Sequence, residues 1–281
     1  MNLPLHCIRH PMIDIIVLSK DNIDELRSTL LSCVSLSDCS AFRVTISVYD
    51  SSQCFSSVRS LVDRFKALTS GDMKIVLNHI YPPSGIYPAM NYALNLSQSD
   101  SLIFMNSGDA FYSSASLCEL ATAFYSEMSR NASLSCAFGR TMFEAYNSRM
   151  CWINPYVSFN CIKSWLKFYY PCHQSVIFKT SWAKAHPYDP SVGIAADSKV
   201  ICAAIANSSY LYVPKCVSVF RLNGISSRSP KSLNQIFSVG QSAHAACIKF
   251  LLSPPFIPNM LPFFSRIKSF LVNSLIFIAG A

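Results

Sequence analysis

The chain has no acidic residue after Asp197, only eight glycines, and charged side chains at just 14% of its positions. With 51% hydrophobic residues, so low a charge excludes disorder over most of the 281 residues. Fifteen prolines and eight glycines without a period exclude a collagen-like or linker-type sequence. Solenoid and propeller repeats are absent as well. None of the twelve cysteines stands in a C-x-x-C pair, which removes the usual zinc and dithiol signatures. The cysteines are expected to be buried thiols in a reducing, cytoplasmic compartment. The opening MNLPLHCIRHPM has no apolar signal-peptide core. No clean run of about 20 apolar residues is present to make a spanning helix.

The formal charge of +8 arises entirely beyond Asp197, from Lys199, Lys215, Arg221, Arg228, Lys231, Lys249, Arg266 and Lys268. Such a tail favours an anionic partner: phosphate esters, an acidic membrane surface or nucleic acid. The last is disfavoured, since no zinc-finger spacing or RNA-binding motif accompanies the charge.

Strand and helix signals alternate from the start. Ile13–Leu18, Arg43–Tyr49, Met73–His79 and Ser101–Asn106 read as strands, the first an apolar run suited to burial on both faces. Helical spacing joins Ile23, Leu26, Leu30 and Val34 behind an Asn22 cap, then Val58, Leu61, Val62 and Phe65, then Gly85–Leu96. This order predicts an α/β fold with a mostly parallel sheet flanked by helices. Later strands are expected near 134–138, 175–178, 210–213 and 216–222, with helices near 158–168, 195–206 and 229–252.

Ligands of open parallel sheets bind beyond the carboxyl ends of the strands. Here those ends are Ser19-Lys20-Asp21, Asp50-Ser51-Ser52 and Asn106-Ser107-Gly108-Asp109. Ser51 and Asn22 are expected to cap helices; Asp109, after an apolar strand and a glycine, is the functional candidate.

The stretches IDIIVLSKDNIDELRSTLLSC, VTISVYDSS and SGIYPAMNYALNLSQSDSLIFMNSGDAFYSS resemble the core of family-2 glycosyltransferases with the GT-A (Rossmann-like) fold, including bacterial transferases of exopolysaccharide and colanic-acid assembly. Weaker resemblance runs through CHQSVIFK, YDPSVGIAADSKV and FRLNGIS, so that about residues 13 to 227 are covered. The resemblance implies nucleotide contacts at Ser19, Asp50, Gly85 and Asn91, a divalent metal ion (Mn²⁺ or Mg²⁺) at Asp109, and a His173-Gln174 pair near the sugar or acceptor. It implies a general base at Asp197 in an inverting transfer from a nucleotide-sugar donor to a saccharide or lipid-linked acceptor of cell-surface polysaccharide. Asp197 is also placed to cap the helix that follows it.

The chain departs from the pattern in three places. Gly108 fills the first position of the metal turn, Pro88 replaces an aspartate, and Tyr81-Pro82-Pro83-Ser84 lacks the acid that normally precedes the glycine. These losses raise a rival reading, a catalytically impaired relative that binds nucleotide in a regulatory role. Arg221 and Arg228 flank the loop NGISS; guanidinium suits phosphate, but a solvated surface is the default for each. Trp152, Trp165, Tyr169 and Tyr170 are expected to pack in the core rather than stack on a sugar.

The predicted organisation is a catalytic domain over 1–229 and a C-terminal helix with an apolar basic tail over 230–281. In that tail Leu261, Phe264, Ile267, Leu271, Leu275 and Ile278 form one helical stripe flanked by Arg266 and Lys268, a pattern for peripheral membrane contact.

Overall fold

The computed structural model describes residues 10–38, 41–69, 73–145, 151–167, 169–207 and 209–222. The helix expected over 229–252, the apolar basic stripe, the boundary at 229/230 and Arg228 lie outside the described residues.

Strand β1 (Met12–Ser19) runs through the middle of the first half of the sheet. Its side chains alternate between faces, as the pleat requires. Ile13, Ile15 and Val17 enter one core cluster, and Ile16 and Leu18 the other. This two-sided burial is the physical content of its apolar run. Beside it lie β2 (Arg43–Asp50), β3 (Met73–His79) and β4 (Ser101–Asn106), all parallel, in the order β3-β2-β1-β4. Helices α1 (Ile23–Val34), α2 (Phe55–Leu68) and α3 (Ile86–Leu96) connect them. The Asn22 side chain accepts from the Glu25 N–H at 3.1 Å and caps α1 as expected. Ser51 does not cap α2: the helix begins later, at Phe55, so its cap position falls on Cys54.

Past β4 the sheet becomes mixed. A two-residue strand β5 (Ala110–Phe111) precedes α4 (Ser114–Arg130), a helix capped by Ser113 and absent from the sequence assignment. The long β6 (Leu134–Ala145), the short β7 (Cys151–Asn154) and β8 (Val176–Lys179) follow. The helix expected near 158–168 is a 3₁₀ turn at Phe159–Cys161 and a short α5 (Ile162–Leu166). Helix α6 (Thr180–Ala185), α7 (Ala196–Asn207) and β9 (Ser209–Leu222) complete the described chain. The sheet order is β3-β2-β1-β4-β8-β6-β9-β5, with β7 on β6. Strand β8 is antiparallel to both β4 and β6, whereas β9 runs parallel to β6.

The strands expected at 210–213 and 216–222 are one strand, β9. Register jumps from Phe138↔Tyr212 to Arg140↔Cys216, so Val213, Pro214 and Lys215 bulge opposite Gly139. A Cβ at Gly139 would lie 2.4 Å from Val217 Cγ2 and 2.7 Å from the Lys215 carbonyl oxygen. Only a glycine fits there, and Pro214, which has no N–H to pair, is accommodated by the bulge.

Helices α1, α2 and α4 cover one face of the sheet, and α3, α5, α6 and α7 cover the other. Trp165 is buried in the second core with Tyr169 and Tyr170 packed against it, and Trp152 stacks on Phe143 at 5.4 Å. Eight described cysteines are free thiols, but Cys54 and Cys151 among them are exposed. Cys118 on α4 is disulfide-bonded. The expectation of buried thiols throughout fails at these three positions; disulfide pairing depends on proximity in space, which sequence spacing does not reveal.

Candidate functional site

The parallel strands end together. Ser19 pairs in register with Asp50, Leu18 with Asn106, and Asp50 with His79. The carboxyl ends of β1, β2 and β4 therefore bring Ser19, Asp50 and the Asn106–Asp109 turn to one edge. Gly108 turns the chain there with φ +101°, and a side chain at this position would meet the Glu25 carboxyl group at 3.4 Å. Both facts disfavour an aspartate in its place.

Of six buried side-chain polar atoms without a hydrogen-bond partner among the described residues, three lie at this edge: Ser19 Oγ, Asn106 Oδ1 and Ser107 Oγ. Buried polar atoms are nearly always paired. A cluster of exceptions at the carboxyl edge of a parallel sheet is what a polar ligand's site looks like from the protein side.

Asp50 is fully buried. Its carboxylate accepts from the Ser52 hydroxyl at 2.8 Å and from the Ser52 N–H at 3.1 Å. Ser52 Oγ in turn accepts from the N–H of Asp21, which has a positive φ of 51°. Beside Asp50, His79 stacks between Phe55 at 4.0 Å and the exposed Tyr81 at 5.8 Å. This aromatic column was missed in the sequence; it becomes visible only once the register sets His79 against Asp50.

Asp109 is 5% exposed. Its Oδ2 accepts from Gln174 Nε2 at 2.9 Å and its Oδ1 from the Arg221 N–H at 3.0 Å. Burial pushes its carboxyl group up to about 7, against the opposing pull of these two donors and of the Arg221 charge. Thr29 of α1 braces the turn: its hydroxyl donates to the Asp109 carbonyl at 2.7 Å and accepts from the Gly108 N–H at 3.0 Å. Thr29 was not foreseen, because a buried threonine on a helix face carries no signal of its own.

A divalent ion wants several open oxygen ligands. Among the described residues no three His, Cys, Asp or Glu side chains group to hold one. Both oxygens of Asp109 are engaged by protein donors. As they stand, the described residues bring no three-ligand group to this turn, and each Asp109 oxygen keeps a second lone pair.

Asp197 lies in the first turn of α7. Its Oδ1 accepts from the Ser198 N–H at 2.7 Å, the Ser198 hydroxyl at 3.3 Å and the Tyr87 hydroxyl at 3.4 Å. The first of these satisfies an N–H of the opening helical turn, but α7 starts at Ala196, so Asp197 lies inside the helix and is not its N-cap. Oδ2 makes no hydrogen bond to another described residue. Burial raises the carboxyl pKa against those hydrogen bonds, which moves it towards the range of a general base. The Cys172 thiol, pushed up to about 12 chiefly by burial, feels both the Asp109 and Asp197 charges.

Gln174 orients Asp109, while its Oε1 accepts from Cys172 Sγ at 2.9 Å. The His173 ring is enclosed, stacked on Phe104 at 5.1 Å, with Nε2 on the Tyr188 hydroxyl at 2.7 Å. Burial lowers it to about 3, so it is neutral. Asn91 holds Tyr188 through both ends of its amide, donating to the carbonyl at 2.7 Å and accepting from the N–H at 2.9 Å. Asn91 and His173 thereby meet at Tyr188. Gly85 precedes α3 with φ +107°. Pro88, two residues after Ile86, sits in the first turn of α3, where its missing N–H costs nothing.

No helix among the described residues is long and apolar enough to cross a membrane.

No family model matches the chain, and no curated protein matches it by sequence. Solved structures do. S. aureus TarS in complex with UDP-GlcNAc superposes with a TM-score of 0.59 at 16% identity, over 85% of this chain and 71% of that one. The mannosyltransferase PcManGT from Pyrobaculum calidifontis, in complex with GDP-Man and Mn²⁺, gives a TM-score of 0.60 at 15% identity over 95% and 81% of the two chains. At this identity the likeness shows the fold: a GT-A-type mixed α/β sheet flanked by helices.

Proposed function

We propose that the chain is a nucleotide-sugar-dependent glycosyltransferase whose donor binds at the carboxyl edge of β1, β2 and β4. The observation that carries this reading is the grouping of unpartnered Ser19 Oγ, Asn106 Oδ1 and Ser107 Oγ beside Asp50 and Asp109. It occurs on a fold whose similar structures hold UDP-GlcNAc and GDP-Man.

In this reading Ser19 and Asp50 meet the nucleotide, and the turn at Ser107–Asp109 faces the diphosphate. Asp197 takes the proton from an acceptor hydroxyl. The freed oxygen bonds to the anomeric carbon as the bond from that carbon to the diphosphate breaks, and the nucleoside diphosphate leaves with the electron pair. Attack opposite the leaving group inverts the anomeric centre. Such a base contributes about 10²–10⁴-fold. No step is routed through a metal ion. Asn91 and His173 act by holding Tyr188 in the second core, and Gly85 by starting α3.

A saccharide or lipid-linked acceptor of cell-surface polysaccharide is the substrate class we favour, from the resemblance of the motifs. The basic excess after Asp197 and the 261–278 stripe support a peripheral position on an anionic membrane. The test is incubation of the full chain with UDP- and GDP-sugars and saccharide acceptors, reading nucleoside diphosphate release and the anomeric configuration of the product by NMR. An inverted product supports the reading; a retained configuration removes Asp197 as the base. Nucleotide binding without any transfer favours the impaired relative, to which the loss of acids at Ser84 and Pro88 points.

A further inference from the structure

Arg221 was expected on a solvated surface; it is part-exposed there, but it is pinned to the turn. It sits near the end of β9, in register with Glu144 on β6. Its backbone N–H holds Asp109 Oδ1 at 3.0 Å, and Nη1 donates to the Gly108 carbonyl at 2.7 Å and to Ser28 Oγ on α1 at 3.0 Å. Nε donates to Glu144 Oε2 at 3.3 Å. Two strands, a helix and the turn thus fix one guanidinium against Gly108-Asp109. Yet the side chain remains 38% exposed, and Nη2 makes no hydrogen bond among the described residues.

These contacts settle which groups at the turn are engaged. The two oxygens of Asp109 are occupied, one of them by Arg221 itself, while a permanent positive charge is anchored beside them. Glu25 and Glu144 also face this region. Glu144 takes Nε–H, and Ser28 Oγ and the Gly108 carbonyl take both Nη1 hydrogens, so the two N–H groups of Nη2 are left for an oxyanion. A guanidinium is charged at every accessible pH, and such N–H groups make charge-assisted hydrogen bonds to phosphate oxygens.

Resting on the nucleotide-sugar reading above, we propose that Arg221 is the cation that binds the donor diphosphate and steadies it as it leaves, in place of a divalent ion. The charge that develops on the departing phosphate is then met by a preorganised donor, which needs no reorganisation during the reaction.

The test uses the full chain and two probes, UDP and GDP, with affinity measured by calorimetry in EDTA and again in Mn²⁺. For the better of the two nucleotides, affinity in EDTA should be within about threefold of that in Mn²⁺. Arg221→Gln should weaken it about ten- to a hundredfold in both buffers. Arg221→Lys, which keeps the charge but not the fork, should fall between them. Comparing the unliganded melting temperatures of the variants separates lost binding from lost folding, since Lys and Gln lose the same brace on Gly108. Binding that requires Mn²⁺ and survives Arg221→Gln would overturn this proposal and leave the nucleotide-sugar reading standing. Failure of the parent chain to bind either nucleotide in either buffer would overturn both.

Discussion

Gln174 Nε2 reaches Asp109 Oδ2 at 2.9 Å across 65 residues of sequence, joining the residues before β8 to the turn after β4. The bond links two buried side chains and fixes the orientation of a carboxylate that burial alone would leave largely protonated. Because Gln174 Oε1 is itself held by Cys172, the amide cannot flip without losing both contacts.

Gln174→Ala should therefore destabilise the protein by about 1–3 kcal/mol, the range for leaving a buried partner unsatisfied. It should also raise the Asp109 pKa further. Denaturant unfolding measures the first effect. Carbon-detected NMR titration of the Asp109 carboxyl measures the second, and an unchanged pKa would contradict the hydrogen bond.

Asp197→Asn should reduce turnover by at least about 10²-fold and leave nucleotide affinity nearly unchanged. The amide oxygen can still accept from the Ser198 N–H, so the start of α7 is preserved. Intact turnover in Asp197→Asn would remove the residue as the base and leave it only its bond to the opening turn of α7.

His173 gives the pH prediction. Its ordinary value of 6.5 falls to about 3 in the folded protein, because burial disfavours the charged ring. The unfolded chain then binds the extra proton first as pH falls. This contribution to stability is complete above about 6.5 and is lost progressively between 6.5 and about 3. His173→Gln, which keeps a partner for the Tyr188 hydroxyl, should make the urea midpoint less steep across that window. An unaltered slope would mean that the ring is not held neutral.

Much of the first half of the fold was legible, and for a clear reason. Ile13–Leu18 and Ser101–Asn106 are buried on both faces, so each announces itself as an apolar run, and the caps and turns beside them are local. The second half is built on β6 pairing with β9, a contact between distant segments. Pro214 breaks β9 in the sequence but not in space, where Gly139 makes room for the bulge. Helix α4 did carry a helical stripe of Leu117, Leu120, Ala121 and Phe124 that went unused. At the candidate site, strand ends named Ser19, Asp50 and Asp109. What engages Asp109 could not be read, since Gln174, in the 3₁₀ turn before β8, and Arg221, on β9, reach it through a register that depends on the whole sheet.

Gly139→Ala tests that register. With a Cβ placed 2.4 Å from Val217 Cγ2, the bulge must shift, and overpacking of this kind costs about 1–3 kcal/mol. The measured effect on the melting temperature should exceed that of Ala137→Gly one turn of the pleat away in kind: the first strains the β6–β9 contact, the second only empties a buried position. A neutral Gly139→Ala would place β9 in a different register.

The central claim is that a nucleotide-sugar binds at the carboxyl edge of β1, β2 and β4, and a melting-temperature panel tests it most directly. The full chain is heated with each of a set of UDP- and GDP-sugars, alongside Asp50→Ala as a site control. A true donor near a hundred times its Kd adds about 2.7 kcal/mol and should raise the melting temperature by about 5 °C or more. At least one nucleotide-sugar should do so in the parent chain and fail to do so in Asp50→Ala. No shift with any member of the panel, or an equal shift in Asp50→Ala, would contradict the claim.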